Sequence, residues 1–207
     1  MTRVIGLTGG IGSGKSTISK YLSELGAVII DADKVGHEAL TRADIKQEIV
    51  DTFGRDILGP DGEIDRKKLG PIVFGNPEAL AKLNHIMHGR MRTMMEDKIE
   101  QNRRQGAPAV VMEAAVLLET DADWDKMVDE IWVTVSSEAT VIRRMKDQRG
   151  MTEEQTKARI HAQMSNEEKI KRAGVVIHNE GDIEHVKREV KKHWDELQYG
   201  SVDKSHR

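Results

Sequence analysis

The stretch that most restricts this chain is Gly-Gly-Ile-Gly-Ser-Gly-Lys-Ser-Thr, residues 9–17. Within it, Gly9-x-x-x-x-Gly14-Lys15-Ser16 satisfies the phosphate-loop pattern. Glycines let successive backbone amides curl round an anion where side chains would block the approach. Residues 3–8 are a short apolar run that predicts a buried parallel strand. After Lys15, residues Ile18, Leu22 and Leu25 recur at helical spacing, and Gly26 is a stop. The start of that helix adds the positive end of its dipole. Lys15 is then expected on the β- and γ-phosphates of a nucleotide and Ser16 on Mg²⁺, with Gly12, Ser13, Gly14 and Thr17 completing the cradle.

A second strand at 28–30 makes the opening a βαβ unit. Further apolar runs predict strands at 109–112, 130–135 and 175–177. Helices are expected over 137–148, from the capping-box sequence Thr152-x-x-Gln155, and over 183–197. Residues 41–106 read as almost all helix, broken at 59–62 and 75–77, with Asn76 as cap and Pro77 at the first helical position. The fold class that follows is α/β, a five-stranded parallel sheet flanked by helices, with its ligand at the carboxyl ends of the strands. The expected organisation is a nucleotide-binding core, 1–40 and 107–200, with a lid at about 138–172 and a helical acceptor-binding insert at 41–106. The polar tail, 201–207, is expected to fray.

Composition removes several function classes. The 32 basic and 35 acidic residues nearly cancel, at a net charge of −3, which argues against a general nucleic-acid binder. Without cysteine there is no disulfide framework, thiolate metal site or cysteine nucleophile. No apolar run approaches 18 residues, and the N-terminus has no signal-peptide pattern. The expectation is a cytoplasmic protein away from membranes, a monomer or weak homo-oligomer.

Switch GTPases, motor ATPases and small-molecule kinases share this loop. No Asn-Lys-x-Asp sequence occurs, so the guanine-reading motif is missing. The run Val111-Met-Glu113 is an imperfect version of the acidic strand end of motor ATPases. Small size and helical inserts favour a kinase acting on a small molecule. Such an enzyme benefits from a carboxylate that orients the attacking hydroxyl and accepts its proton. Asp33 follows the second strand, and one intervening strand would put it about 10 Å from the loop, two strand spacings. Asp31 is its rival, and either residue could instead serve only as a helix cap. Arg143, Arg144, Lys146 and Arg149, followed by Arg159, form a basic cluster that could clamp a transferring phosphoryl group or merely face solvent.

The chain resembles the dephospho-coenzyme A kinase family from end to end. The residues that carry the likeness are Ile5 to Thr17, Asp31-Ala-Asp33, Leu83-Asn-His-Ile-Met-His88 with Arg92, and Leu117-Leu-Glu119. Further along are Arg149-Gly-Met-Thr-Glu-Glu154, Arg159-Ile-His-Ala-Gln-Met164 with Glu168-Lys169, and Val176-Ile-His-Asn179. It departs from the common family pattern at Gly89, Glu113, Ala115, Gly174 and His178. The resemblance implies ATP-dependent phosphorylation, with Mg²⁺, of the ribose 3′-hydroxyl of dephospho-coenzyme A. It implies Asp33 as base, Lys15 and Arg149 at the transferring group, and Asn179 near the adenine of ATP. His88, Arg92, Glu119 and Arg159 would meet the acceptor. A nucleoside or metabolite kinase of the same architecture and a non-catalytic nucleotide-dependent switch are the alternatives.

Overall fold

A computed structural model describes residues 2–199, and the polar tail expected to fray lies outside the described residues. Five strands form one sheet: β1 (Arg3–Gly9), β2 (Val28–Asp31), β3 (Ala109–Glu113), β4 (Glu130–Val135) and β5 (Val175–His178). Their order is β2-β3-β1-β4-β5. Parallel register pairs Leu7 of β1 with Glu113 of β3 and with Trp132 of β4. β5 continues the parallel ladder, with Val175 beside Trp132. One strand, β3, therefore separates β2 from β1, the order the expected position of Asp33 required.

Burial on both faces explains the uninterrupted apolar runs. One face is covered by α1 (Lys15–Glu24) and α9 (Ile183–Tyr199). There Ile18 and Leu22 of α1 and Val190 and Trp194 of α9 share a cluster with Ile5, Leu7, Val111, Trp132 and Ile177. On the other face a Cβ added to Gly6 would come within 2.7 Å of Leu117 and 3.0 Å of Val128, so the β3–β4 connection lies directly on β1. α6 (Glu138–Arg149), α7 (Glu153–His161) and α8 (Asn166–Lys171) fill the β4–β5 connection.

The chain divides into two compact units, one of residues 1–30 and 99–207, the other of 31–98. The second is helical: α2 (Ala32–Thr41), α3 (Ala43–Phe53), α4 (Arg66–Phe74) and most of α5 (Pro77–Arg104). Asn76 caps α5 by accepting from the amides of Glu78 and Ala79, and Pro77 opens the helix. Within this unit Arg90 bridges from α5 to Asp44 and Glu48 of α3, each at 3.0 Å. The close approach of α2 to α5 uses a glycine, since a Cβ on Gly36 would lie 3.4 Å from Met91.

Candidate active site

Between the carboxyl end of β1 and the first turn of α1, residues 9–14 form a loop braced from behind by its own domain. The Ser13 carbonyl accepts from the Asn179 side-chain amide at 2.9 Å and from the Thr134 hydroxyl at 3.0 Å. Arg144 donates to the Gly12 carbonyl at 3.0 Å, and also to the Asn179 side-chain oxygen at 2.9 Å and the Ser136 hydroxyl at 3.0 Å. Thr134, Ser136, Asn179 and Ser13 are all buried, so these bonds act in a low-dielectric setting where they are strong. With the carbonyls of residues 12 and 13 held at the back, the loop cannot present them to an incoming anion.

Gly14 occupies the left-handed region at φ 95°, and a Cβ there would stand 2.0 Å from the Asn179 side chain. No other residue fits that position. Lys15 donates to the Gly9 carbonyl at 2.8 Å and to the Gly10 carbonyl at 3.1 Å, so its ammonium lies over the loop it belongs to. Ser16 and Thr17, on the exposed first turn of α1, have hydroxyls with no side-chain hydrogen bond among the described residues. Ser16 thus offers a hard oxygen donor that suits Mg²⁺. Among the described residues no group of three or more His, Asp or Glu could hold a metal. A donor set of one hydroxyl fits an ion that keeps its waters and takes phosphate oxygens as ligands.

Burial pulls the Arg144 pKa below its ordinary value; the Glu180 charge opposes the shift and Arg143 adds to it. Glu180 ties the β5–α6 corner together. Its carboxylate accepts from the Ser137 amide at 2.7 Å, the Ser137 hydroxyl at 2.8 Å and the Thr140 hydroxyl at 2.7 Å. The hydrogen bond from Thr140 contributes most to holding its pKa below the ordinary value, against partial desolvation.

The carboxylates singled out from the sequence take different parts. Asp31 caps α2, accepting from the amides of Asp33 at 2.9 Å and Lys34 at 3.2 Å. Asp33 is exposed on the first turn of that helix, its carboxylate without hydrogen bond or ion pair among the described residues. Glu113, at the end of β3, accepts from the Ser19 hydroxyl at 2.5 Å. Glu119 pairs with Lys169 at 3.1 Å; the lysine is wholly buried and also donates to the Met164 carbonyl at 2.6 Å.

Of the cations, Arg149 ends α6 and Arg159 lies on α7, both exposed and with no side-chain partner among the described residues. Arg144, from the same basic cluster, instead faces the loop. His88 and Arg92, half-buried, are one turn apart on α5, and Arg92 donates to Glu96 at 2.9 Å. Asn179, expected beside adenine, has both ends of its side-chain amide engaged by Ser13 and Arg144. The braces Thr134, Ser136 and Glu180 were not singled out from the sequence. Gln163 stood in the family-like segment Arg159 to Met164 with no role read for it, and its side-chain oxygen accepts from the Ile11 amide at 2.9 Å. Small polar residues at strand ends give no local pattern that separates a brace from a solvated side chain.

A braced phosphate loop between β1 and α1 of a five-stranded parallel sheet defines the class as a P-loop kinase fold. The sequence pattern of the dephospho-CoA kinase family matches residues 3–185. The chain belongs to that family. It is 45% identical over 188 residues to a dephospho-CoA kinase of Carboxydothermus hydrogenoformans, covering 90% of each chain. A second, from Dehalococcoides mccartyi, is 42% identical over 185 residues, 89% of this chain and 92% of that one. The solved dephospho-CoA kinase from Campylobacter jejuni superposes with a TM-score of 0.74 at 28% identity, covering 97% of this chain and 100% of the other.

Proposed function

We infer that this chain transfers the γ-phosphoryl group of ATP to the ribose 3′-hydroxyl of dephospho-coenzyme A, giving coenzyme A and ADP in the last step of coenzyme A synthesis. The observation that carries this reading is family membership running through both units, on a chain whose phosphate loop is intact and braced.

The loop amides from Gly12 to Thr17 and the Lys15 ammonium bind the triphosphate, and Asn179 serves the nucleotide through the loop it holds. Ser16 would hold Mg²⁺, which when bound neutralises charge on the phosphates. Asp33 orients the acceptor hydroxyl and takes its proton while the new oxygen–phosphorus bond forms and the bond to the β–γ bridging oxygen breaks. Its exposed, unpaired carboxylate supports that role, and the cap from Asp31 keeps its turn in place. Arg149 and Arg159 carry unpaired charge on the helices of the 138–172 lid and would neutralise the transferring group. Acceptor binding falls to the helical segment 41–106, through His88 and Arg92, with Glu119 and Arg159 contributing from the core.

A coupled ADP-release assay with a panel of nucleoside and coenzyme A precursors tests the assignment. Dephospho-coenzyme A is expected to turn over, with a requirement for Mg²⁺. Asp33→Asn should lower kcat roughly 10²–10⁴-fold while ATP still binds. Turnover at the wild-type rate in that variant removes the assigned base.

A further inference from the structure

The Gly10–Ile11 peptide unit is held from both sides. Its carbonyl accepts from Lys15 Nζ at 3.1 Å and from the Ser13 hydroxyl at 2.8 Å. Its N–H donates to Gln163 Oε1 at 2.9 Å, a contact spanning 152 positions of sequence. The carboxamides of Gln163 and Asn166 both flank Gly10, at 3.7 and 3.9 Å from where a Cβ would stand. Nothing in the chemistry described so far uses Gln163.

Gln163 lies in the turn between α7 and α8, and that turn is itself anchored. The neighbouring Met164 carbonyl accepts from Lys169 at 2.6 Å, and Lys169 is pinned in turn to Glu119. Ser165 and Glu168 close a reciprocal capping box at the start of α8. The result is a stiff support, rooted in the β3–β4 connection, with one side-chain oxygen extended to the phosphate loop. Every residue in it belongs to the unit formed by 1–30 and 99–207.

We propose that Gln163 is a positioning residue for phosphoryl transfer, acting through the Gly10–Ile11 peptide on Lys15. An acceptor on the N–H of a peptide strengthens its carbonyl as an acceptor, so Gln163 steadies the resting point of the Lys15 ammonium. It also opposes rotation of a peptide plane whose Gly10 side offers little steric resistance. A carboxamide does this without adding negative charge next to a triphosphate, where a carboxylate would repel it. This proposal rests on the kinase reading above.

The test compares Gln163→Met, which keeps length but removes the acceptor oxygen, with Gln163→Glu, which retains an acceptor. ATP binding by calorimetry, kinetics with each substrate varied, and the thermal midpoint are measured on the full chain. For Gln163→Met, kcat/KM for ATP and ATP affinity should fall about 5- to 10-fold, the range of one lost hydrogen bond. KM for dephospho-coenzyme A and the thermal midpoint should stay at wild-type values. Gln163→Glu should recover ATP affinity above the Gln163→Met value in about 0.5 M salt, where its added charge is screened. Unchanged ATP affinity in Gln163→Met overturns the proposal. So does a loss shared by both substrates and accompanied by a lowered midpoint, which marks general loosening. Because ATP titration needs no acceptor, a wild-type chain that binds ATP but leaves dephospho-coenzyme A unphosphorylated defeats the substrate reading and not the role of Gln163.

Discussion

At the scale of single residues, the polar side chains singled out above divide into those tied to the phosphate loop and those left open. Thr134, Ser136, Arg144 and Asn179 are tied to loop carbonyls; Ser16, Asp33, Arg149 and Arg159 have no side-chain partner among the described residues. Tied groups set backbone direction, and under the proposed function the open ones would supply charge or lone pairs to a guest. Glu180 belongs to the first kind and carries a pH signature. Its pKa lies below the ordinary 4.5, so its contribution to stability is complete above that value and is lost as pH falls through the lowered folded value. The stability difference between wild type and Glu180→Gln, from urea unfolding, should therefore be steady near neutrality and shrink below pH about 4. A difference that grew on acidification would contradict the sign of the shift. The group is exposed, so the effect is modest.

Among secondary-structure elements, the strands and capped helices follow local signals closely. The capping box read at Thr152 and Gln155 is present with both of its bonds, and Ser137 caps α6. α2 enters the sequence reading only through the alternative that Asp31 or Asp33 caps a helix, because the long helical segment is expected from residue 41. Asp31 turns the chain straight from strand into helix, and Gly36 in the middle of α2 weakens the helical pattern of its sequence. α8 is six residues long, too short for periodicity to declare it, and survives through its cap and through Lys169. That lysine gives a test at this scale. Lys169→Met leaves Glu119 without its partner and frees the Met164 carbonyl, which should cost about 3–5 kcal/mol of stability in chemical denaturation. Replacing both members, Glu119→Leu with Lys169→Met, should cost less than the single change, since no unpaired carboxylate is left. Equal losses would show that the pair adds nothing beyond packing.

Across the whole molecule, the nucleotide-binding unit is assembled from both ends of the chain, 1–30 and 99–207, while 31–98 is one continuous segment. α1, near the amino end, and α9, at the far end, share one face of the sheet, so the core beneath the phosphate loop depends on the last helix. Trp194→Ala, in a side chain only 6% exposed, should lower unfolding free energy by about 3–5 kcal/mol with an unchanged urea m-value. Saturating ATP should recover part of the loss by binding the folded state. If stability is unaffected, α9 is not part of the cooperative core. Among the described residues, no helix is long and apolar enough to cross a membrane.

What sequence alone determined was everything encoded within about a dozen contiguous residues. The phosphate loop, the five apolar runs, the caps at Asn76 and Thr152, and the class of ligand all come from such local patterns. The order of the strands, the bracing of Ser13 by residues 121 and 166 positions away, and the reach of Gln163 to Ile11 were decided only when the chain closed on itself. A hydrogen bond between distant segments leaves no periodicity in either of them, because each side chain there is chosen by its partner's position in space and not by its neighbours along the chain.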